Sequence, residues 1–381
     1  MDARTLRREM VERLVAAGAV SEDWRRAFDA VPRHLFIPDL IWCQGDRGLL
    51  PHRRAEDPEG WLAAAYADDA VITQVDDGEP SGSVEGEIGL TATSSASMPT
   101  VVAEMLMALK AGEDMRVCEI GTGTGYNAAL LAQRLGARNV VTVEVDPTVA
   151  EAARHSLERA GYGGVTVITA DGSQGAAPGA PYDRVISTAS CEQVPYPWVA
   201  QTAPGGMVLT PCANSYYPGG LLSLTVVEDG TATGRIVGPA WFMELRDQRI
   251  PRCRVADVVR GDYQGERSTT TIEPYELAGH RGAMLAIGLR VPHCLHRYLP
   301  YDPDDGTGEL WFLDPWSGSW ASHFHFTPDC SDEEFSIRQR GPRRLWDEVE
   351  AAHGWWAGHG RPGEHEWRFT VTSGGQTVAL Q

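Results

Sequence analysis

The sequence predicts an α/β fold, a Rossmann-like domain with a mostly parallel central sheet, followed by a C-terminal α+β appendage. Three observations carry this. From about residue 97 to residue 210, short apolar runs alternate with amphipathic segments, the rhythm of strands covered on both faces by helices. A glycine-rich turn, Gly121 to Gly125, sits where one such run meets a helical segment. Near residue 240 the rhythm stops, although the chain continues to residue 381.

Residues 3–17 place Leu6, Met10, Leu14 and Val15 at helical spacing. Ser21, Glu22 and Asp23 form a cap and acidic first turn for a second helix through Phe28, which Pro32 ends. The Asp-, Gly- and Pro-rich stretch 44–90 reads as loops with one short strand, Val71–Val75. Pro99 opens a helix whose apolar face is Val101, Val102, Met105, Leu106 and Leu109. Then follow strand Arg116–Ile120, helix Tyr126–Leu135, strand Val140–Val145 and helix Pro147–Ala160. Strands Val165–Thr169 and Arg184–Thr188, helix Pro197–Gln201 and strand Met207–Thr210 continue the pattern. Leu221–Val227 and the turn Glu228-Asp229-Gly230 predict an antiparallel hairpin at the sheet edge. Residues 245–280 are charged and irregular. Beyond them, strands Met284–Val291, Glu309–Leu313 and Glu366–Thr372 and a helix from Pro342 to about Trp356 make the appendage. The expected organisation is an N-terminal helical and loop segment (1–85), a Rossmann-like core (86–240) and a C-terminal α+β domain (241–381).

A formal net charge of −19 argues against nucleic acid as a partner, because phosphate binding needs a basic footprint. No apolar run approaches the ~20 residues that span a bilayer, and the start is charged and amphipathic, so a cytoplasmic protein without membrane partners is expected. Seven cysteines, an odd number without CxxC spacing, suggest reduced thiols and neither a disulfide framework nor a zinc site. His323, His325, His353, His359 and His365 have no zinc-like spacing, and no metal is expected. A Gly-x-Ser-x-Gly elbow is missing, which argues against a serine hydrolase.

The strongest local signal is Glu119-Ile120-Gly121-Thr122-Gly123-Thr124-Gly125. Glycines belong there because the turn is tight and a cofactor lies against bare backbone. Glu144 ends the next strand, where a carboxylate can take two ribose hydroxyls. Asp171-Gly172 follows the third strand, at the place of an adenine amino group, and Thr188 ends the fourth. A dinucleotide fold has Gly-x-Gly-x-x-Gly with a helix N-terminus facing pyrophosphate. Here Glu119 stands just ahead of Gly121-x-Gly123-x-Gly125, which disfavours an anion and suits the ammonium of S-adenosylmethionine. The cofactor residues expected are thus Glu119, Gly121, Thr122, Gly123, Gly125, Glu144, Asp171, Gly172 and Thr188.

A resemblance rests on Val31-Pro32-Arg33-His34-Leu35-Phe36-Ile37-Pro38, Ala65-Tyr66-Ala67-Asp68-Asp69, Ser97-Met98-Pro99-Thr100 and the glycine motif. Ala170-Asp171-Gly172, Ala180-Pro181-Tyr182-Asp183 and Pro204-Gly205-Gly206 complete it. In order and spacing these resemble protein-L-isoaspartate O-methyltransferases over the first 240 or so residues. The resemblance implies the class I methyltransferase fold and carboxyl O-methylation. It also implies an acceptor pocket in which the Ser97 hydroxyl bonds the carboxylate, with Ser94 and Ser95 close enough in sequence to share the task. The plainer role for Ser97 is to cap the helix beginning at Pro99. The serine-rich stretch 91–97, Thr100 where a histidine is common, and Gly341-Pro342-Arg343-Arg344-Leu345-Trp346 look more like the homologues found with ribosomally made, modified peptides (RiPPs) of the graspetide and lanthipeptide kinds. That implies methylation of an aspartate in a macrocyclic precursor peptide, followed by closure to aspartimide or isoaspartate. The alternatives are general repair of isoaspartyl damage and, in another class, a scaffold that captures a leader peptide without chemistry. Arg246, Arg249, Arg252 and Arg254 either steer an acidic peptide or form a solvated face paired with Glu244 and Asp247. Trp311, Trp316, Trp320, Trp346, Trp355 and Trp356 read first as core.

Overall fold

The computed structural model describes residues 2–46, 48–83, 86–260, 264–299, 307–326 and 334–381. The chain forms two compact units: Met1–Pro211 with Leu221–Arg246 and Phe369–Thr377, and Cys212–Gly220 with Asp247–Arg368 and Val378–Gln381.

The first unit opens with helices α1 (Ala3–Ala16) and α2 (Glu22–Ala30), each capped by a side chain: Asp2 accepts from the Thr5 N–H and Ser21 from the Trp24 N–H. A 3-10 turn, Arg33–Phe36, leads to the antiparallel pair β1 (Leu40–Gly45) and β2 (Gly48–Arg53). Helix α3 (Pro58–Tyr66), strand β3 (Val71–Val75), the small ribbon β4 (Ser81–Ser83) and β5 (Gly86–Ile88), and β6 (Ala92–Ala96) follow. The stretch expected to be mostly loop therefore holds part of a four-stranded sheet, ordered β2-β1-β3-β6. Its residues alternate poorly in hydrophobicity because burial along its strands does not itself alternate strictly, two adjacent residues of β1 being buried and only the two ends of β3.

From here the βα rhythm holds: α4 (Pro99–Leu109), β7 (Val117–Ile120), α5 (Tyr126–Leu135), β8 (Val140–Glu144), α6 (Pro147–Arg159), β9 (Thr166–Thr169), β10 (Tyr182–Ser187), α7 (Tyr196–Ala200) and β11 (Thr202–Cys212). Strands β12 (Gly220–Val226) and β13 (Ala232–Pro239) make the expected hairpin. It is not the edge of its sheet. The nine-stranded order is β9-β8-β7-β10-β11-β12-β13-β19-β20, where β19 (Trp367–Thr372) and β20 (Gly375–Leu380) come from the far end of the sequence. The contacts of β7 with β8 and β10, of β8 with β9 and of β10 with β11 are parallel, whereas β13 and β19 run antiparallel. Strand β7 has β8 on one side and β10 on the other, so the order reverses there. A crevice opens at such a switch point, outside the carboxyl ends of the strands. Phe28, Phe36, Trp61, Leu106, Tyr126 and Leu130 are buried in one cluster beneath the helices.

In the second unit, α8 (Val255–Val258), β14 (Glu266–Thr270), α9 (Pro274–Ala278) and α10 (Arg281–Arg290) precede β15 (Leu295–Leu299), β16 (Thr307–Asp314), β17 (Ser319–Phe326), β18 (Phe335–Arg340) and α11 (Leu345–Gly358). The sheet order is β14-β18-β17-β16-β15, antiparallel throughout. The run Met284–Val291, read from sequence as a strand, is instead the body of α10. Every residue from Gly282 to Gly288 is buried, so the helix has no polar face to reveal its period. Trp311, Trp320, Trp346 and Trp356 are core residues, while Trp316 is exposed. His323 is buried with Nε2 at 2.9 Å from the Ile272 carbonyl oxygen. The side chain of His325, and Cys330, lie outside the described residues. Among the described residues no helix is long and apolar enough to cross a membrane, and no group of three His, Cys, Asp or Glu could hold a metal ion.

Candidate active site

The loop after β7 needs glycine for two separate reasons. Gly121, Gly123 and Gly125 all have positive φ (89°, 52° and 85°), where a Cβ is strained. A Cβ on Gly121 would also lie 2.8 Å from the Thr188 Oγ1, and that hydroxyl donates to the Gly121 carbonyl at 2.5 Å. Thr188 thus ties the end of β10 to the loop leaving β7, across the switch point. A Cβ on Gly123 would meet the Ser95 carbonyl oxygen at 3.3 Å, so the segment ending in Ser97 lies directly against the glycine loop.

The carboxylates divide into two kinds. Glu119 is completely buried, and both its oxygens are engaged: Asn127 Nδ2 donates to Oε1 (2.7 Å) and Thr142 Oγ1 to Oε2 (2.6 Å). Thr142 in turn meets Thr122 Oγ1 at 2.7 Å. Burial pushes the Glu119 carboxyl up to about 7, the hydrogen bonds from Thr142 and Asn127 pulling the other way. Sequence placed Glu119 against an ammonium; the structure uses its oxygens to tie β7, β8 and the start of α5 together beneath the glycine loop. Glu144, at the end of β8, accepts from the Gly123 N–H (2.9 Å) and the Asp146 N–H (3.1 Å), with its carboxyl raised chiefly by burial. Asp171 is exposed and accepts from the N–H and hydroxyl of Ser173 at 2.9 and 2.8 Å. Gly172 is buried; a Cβ there would reach Ile120 Cγ2 at 2.7 Å, and its carbonyl accepts from Trp198 Nε1.

Ser97 does not cap α4. The cap position belongs to Met98 and has no side-chain bond, and the Ser97 hydroxyl bonds to no described residue. Ser94 is buried and accepts from Thr73 Oγ1 at 3.2 Å, which makes it part of the β3–β6 contact; the Ser95 hydroxyl bonds to no described residue. Around these, sequence reasoning missed the role of Asp68 and the contact of Asp146 with Gln74, while the Asp146 cap is the one the Asp146-Pro147 pair implies. Asp68 accepts from both the N–H (2.9 Å) and the hydroxyl (2.6 Å) of Thr100, in the first turn of α4. Asp146 caps α6 through the N–H groups of Thr148 and Val149 and also accepts from Gln74 Nε2. Arg246, proposed from sequence to steer a peptide or to face solvent, pairs with Asp77 (3.1 Å) and Asp146 (3.5 Å), not with Glu244 or Asp247. Arg254 pairs with Asp257.

The donor set fits S-adenosylmethionine. Bare glycine backbone lies beside Glu144 at the end of β8, with an exposed Asp171 after β9, as a nucleoside requires. The family model described as protein-L-isoaspartate(D-aspartate) O-methyltransferase matches residues 80–249. A protein-L-isoaspartate O-methyltransferase of Hyperthermus butylicus is 36% identical over 252 residues, covering 64% of this chain and 89% of the relative. The chain belongs to that family. Another protein-L-isoaspartate O-methyltransferase, from Thermococcus onnurineus, is 35% identical over 246 residues, covering 64% of this chain and 94% of its own. A solved structure titled protein-L-isoaspartate O-methyltransferase superposes with a TM-score of 0.55 at 19% identity, over 98% of this chain and 99% of that one, a likeness of fold. As a member of the protein-L-isoaspartate O-methyltransferase family, the chain is an S-adenosylmethionine-dependent carboxyl O-methyltransferase.

Proposed function

We propose that this enzyme methylates a side-chain carboxylate of an aspartyl or isoaspartyl residue in a peptide, with Ser97 as the group that receives the carboxylate. The observation that carries the reading is the Ser97 hydroxyl, which bonds to no described residue and sits on a segment pressed against the glycine loop. An aspartyl carboxylate, with a pKa near ~3.9, is already ionised and nucleophilic at neutral pH, so no general base is needed. Bound S-adenosylmethionine supplies a methyl carbon activated by its sulfonium. Gly121, Gly123, Glu144, Asp171 and Gly172 would hold it. The protein's own task is alignment, and orientation of this kind contributes about 7–11 kcal/mol in favourable cases. A neutral hydroxyl orients a carboxylate without forming the tight ion pair that would quench its nucleophilicity.

Within this reading we infer a role in maturing a macrocyclic ribosomal peptide, the ester losing methanol as the next backbone nitrogen attacks. The serine-rich 91–97 segment and Thr100, whose hydroxyl is committed to Asp68, support it. Repair of isoaspartyl damage is the second reading, favoured by the names of the relatives. The test compares an unmodified isoaspartyl peptide with a macrocyclic aspartyl precursor. Turnover of the linear peptide alone would remove the maturation role. Ser97→Ala is expected to lower kcat/KM by one to two orders of magnitude while S-adenosylmethionine affinity, read by calorimetry, stays within about two-fold. Parallel loss of both would make Ser97 structural.

A further inference from the structure

Arg33 is a charged side chain with no exposure at all, and among the described residues no carboxylate oxygen lies within ion-pair distance of it. Its guanidinium is surrounded instead by main-chain oxygens from two segments. The carbonyls of Ala65 (2.6 Å), Ala67 (3.5 Å) and Asp69 (3.2 Å) come from the chain leaving α3. Those of Ala96 (3.1 Å) and Ser97 (3.0 Å) come from the end of β6. The Tyr126 ring centroid lies 5.9 Å from its Cζ, and its Nε has no partner among the described residues. Burial works against the charge, with Tyr126, Asp68 and Asp69 working for it; a guanidinium nonetheless stays protonated in proteins. A buried cation ringed by main-chain oxygens is partly offset by those dipoles and by Asp68 and Asp69, and what remains of its positive field acts on an anion only at close range.

The direction of those carbonyls matters. In a trans peptide the C=O and the following N–H point in opposite directions. The Ala96 and Ser97 carbonyls both turn toward the same guanidinium nitrogen, NH2, so the N–H groups of Ser97 and Met98 turn away from it. Neither of these two N–H groups bonds to a described residue. Two successive unpartnered N–H groups beside a hydroxyl are three donors available to an anion.

We propose that Arg33 is a positioning residue for the acceptor. It fixes the Ala96–Ser97–Met98 backbone so that two amide donors and the Ser97 hydroxyl meet the substrate carboxylate, and it supplies the positive field that draws an anion into a chain of net charge −19. The inference rests on the reading of Ser97 as the acceptor site.

The test uses the full chain with Arg33→Met and Arg33→Lys, an isoaspartyl peptide, and the isosteric neutral isoasparaginyl peptide as a competitive inhibitor. For Arg33→Met the expected result is a rise in KM for the isoaspartyl peptide of about tenfold or more, with S-adenosylmethionine affinity within about two-fold of wild type. Preference for the acid over the neutral analogue should fall toward unity, a readout that a merely structural role would not move. Arg33→Lys should keep that preference, because the charge remains. It should still lose about five-fold or more in kcat, because an ammonium cannot span five carbonyls. If Arg33→Met does not fold, Arg33→Lys decides the matter, and an unchanged kcat there overturns the proposal. A folded Arg33→Met with wild-type KM and wild-type preference also overturns it, and leaves the Ser97 reading standing. A wild-type enzyme that methylates no carboxylate peptide overturns both.

Discussion

Glu119 carries the most displaced acid–base equilibrium among the carboxylates of the site. Its carboxyl titrates near 7 in the folded protein, against an ordinary 4.5, because it is sealed from water under the glycine loop. A raised folded-state pKa means the native state holds a proton that the unfolded chain has already released. The stability this contributes is complete below about pH 4.5 and is lost as pH climbs toward 7. The full change is on the order of 3 kcal/mol at 1.36 kcal/mol per pKa unit. Without added cofactor, urea titrations should therefore show stability declining across that interval, and Glu119→Gln should flatten the slope. Identical slopes for the two proteins would refute this role. At this scale much of the site was readable: Gly121, Glu144 and Asp171 fall where strand ends and spacing placed them. Arg33 was visible only as one letter of the Val31–Pro38 motif. Its partners are backbone oxygens from residues 65–69 and 96–97, and carbonyl groups leave no trace in side-chain chemistry.

Among the elements, α6 shows how a cap can serve two structures. Asp146 accepts the first free N–H groups of the helix with one oxygen, while the other receives Gln74 from β3 and Arg246 from beyond β13. Asp146→Ala should cost about 1–2 kcal/mol of global stability from the cap. It should also speed hydrogen exchange at the Asp77 amide, which donates to Thr93 Oγ1 within the same polar network. Unchanged exchange there would confine Asp146 to its helix. The elements of the parallel sheet were legible because strands and helices differ in period. Helix α10 was not, since burial on every side erases that difference. Strand β6 was hidden in another way: Ala92-Thr93-Ser94-Ser95-Ala96 has little of the β-branched or aromatic bulk that marks a strand, and its place is set by pairing with β3.

For the molecule as a whole, a charge of −19 opposes the approach of an acidic peptide, whereas Arg33 acts only at short range. The Debye length shrinks from about 30 Å at 0.01 M salt to about 8 Å at 0.15 M. Moderate salt should thus lower KM for an anionic peptide a few-fold and leave KM for a charge-neutral peptide nearly constant. A KM that rises with salt for the anionic peptide would mean that attraction dominates at long range. The pairing of β19 with β13 has a consequence for how the protein comes into being. Val371 bonds into register with Ala232, so β13, in the sheet that carries the glycine loop, stays one neighbour short until the ribosome has passed codon 371. During that wait β13 presents an open ladder of N–H and C=O groups, the kind of template that recruits a wrong strand. A slow decoding stretch between the two would lengthen the interval in which nascent chains can stick to one another.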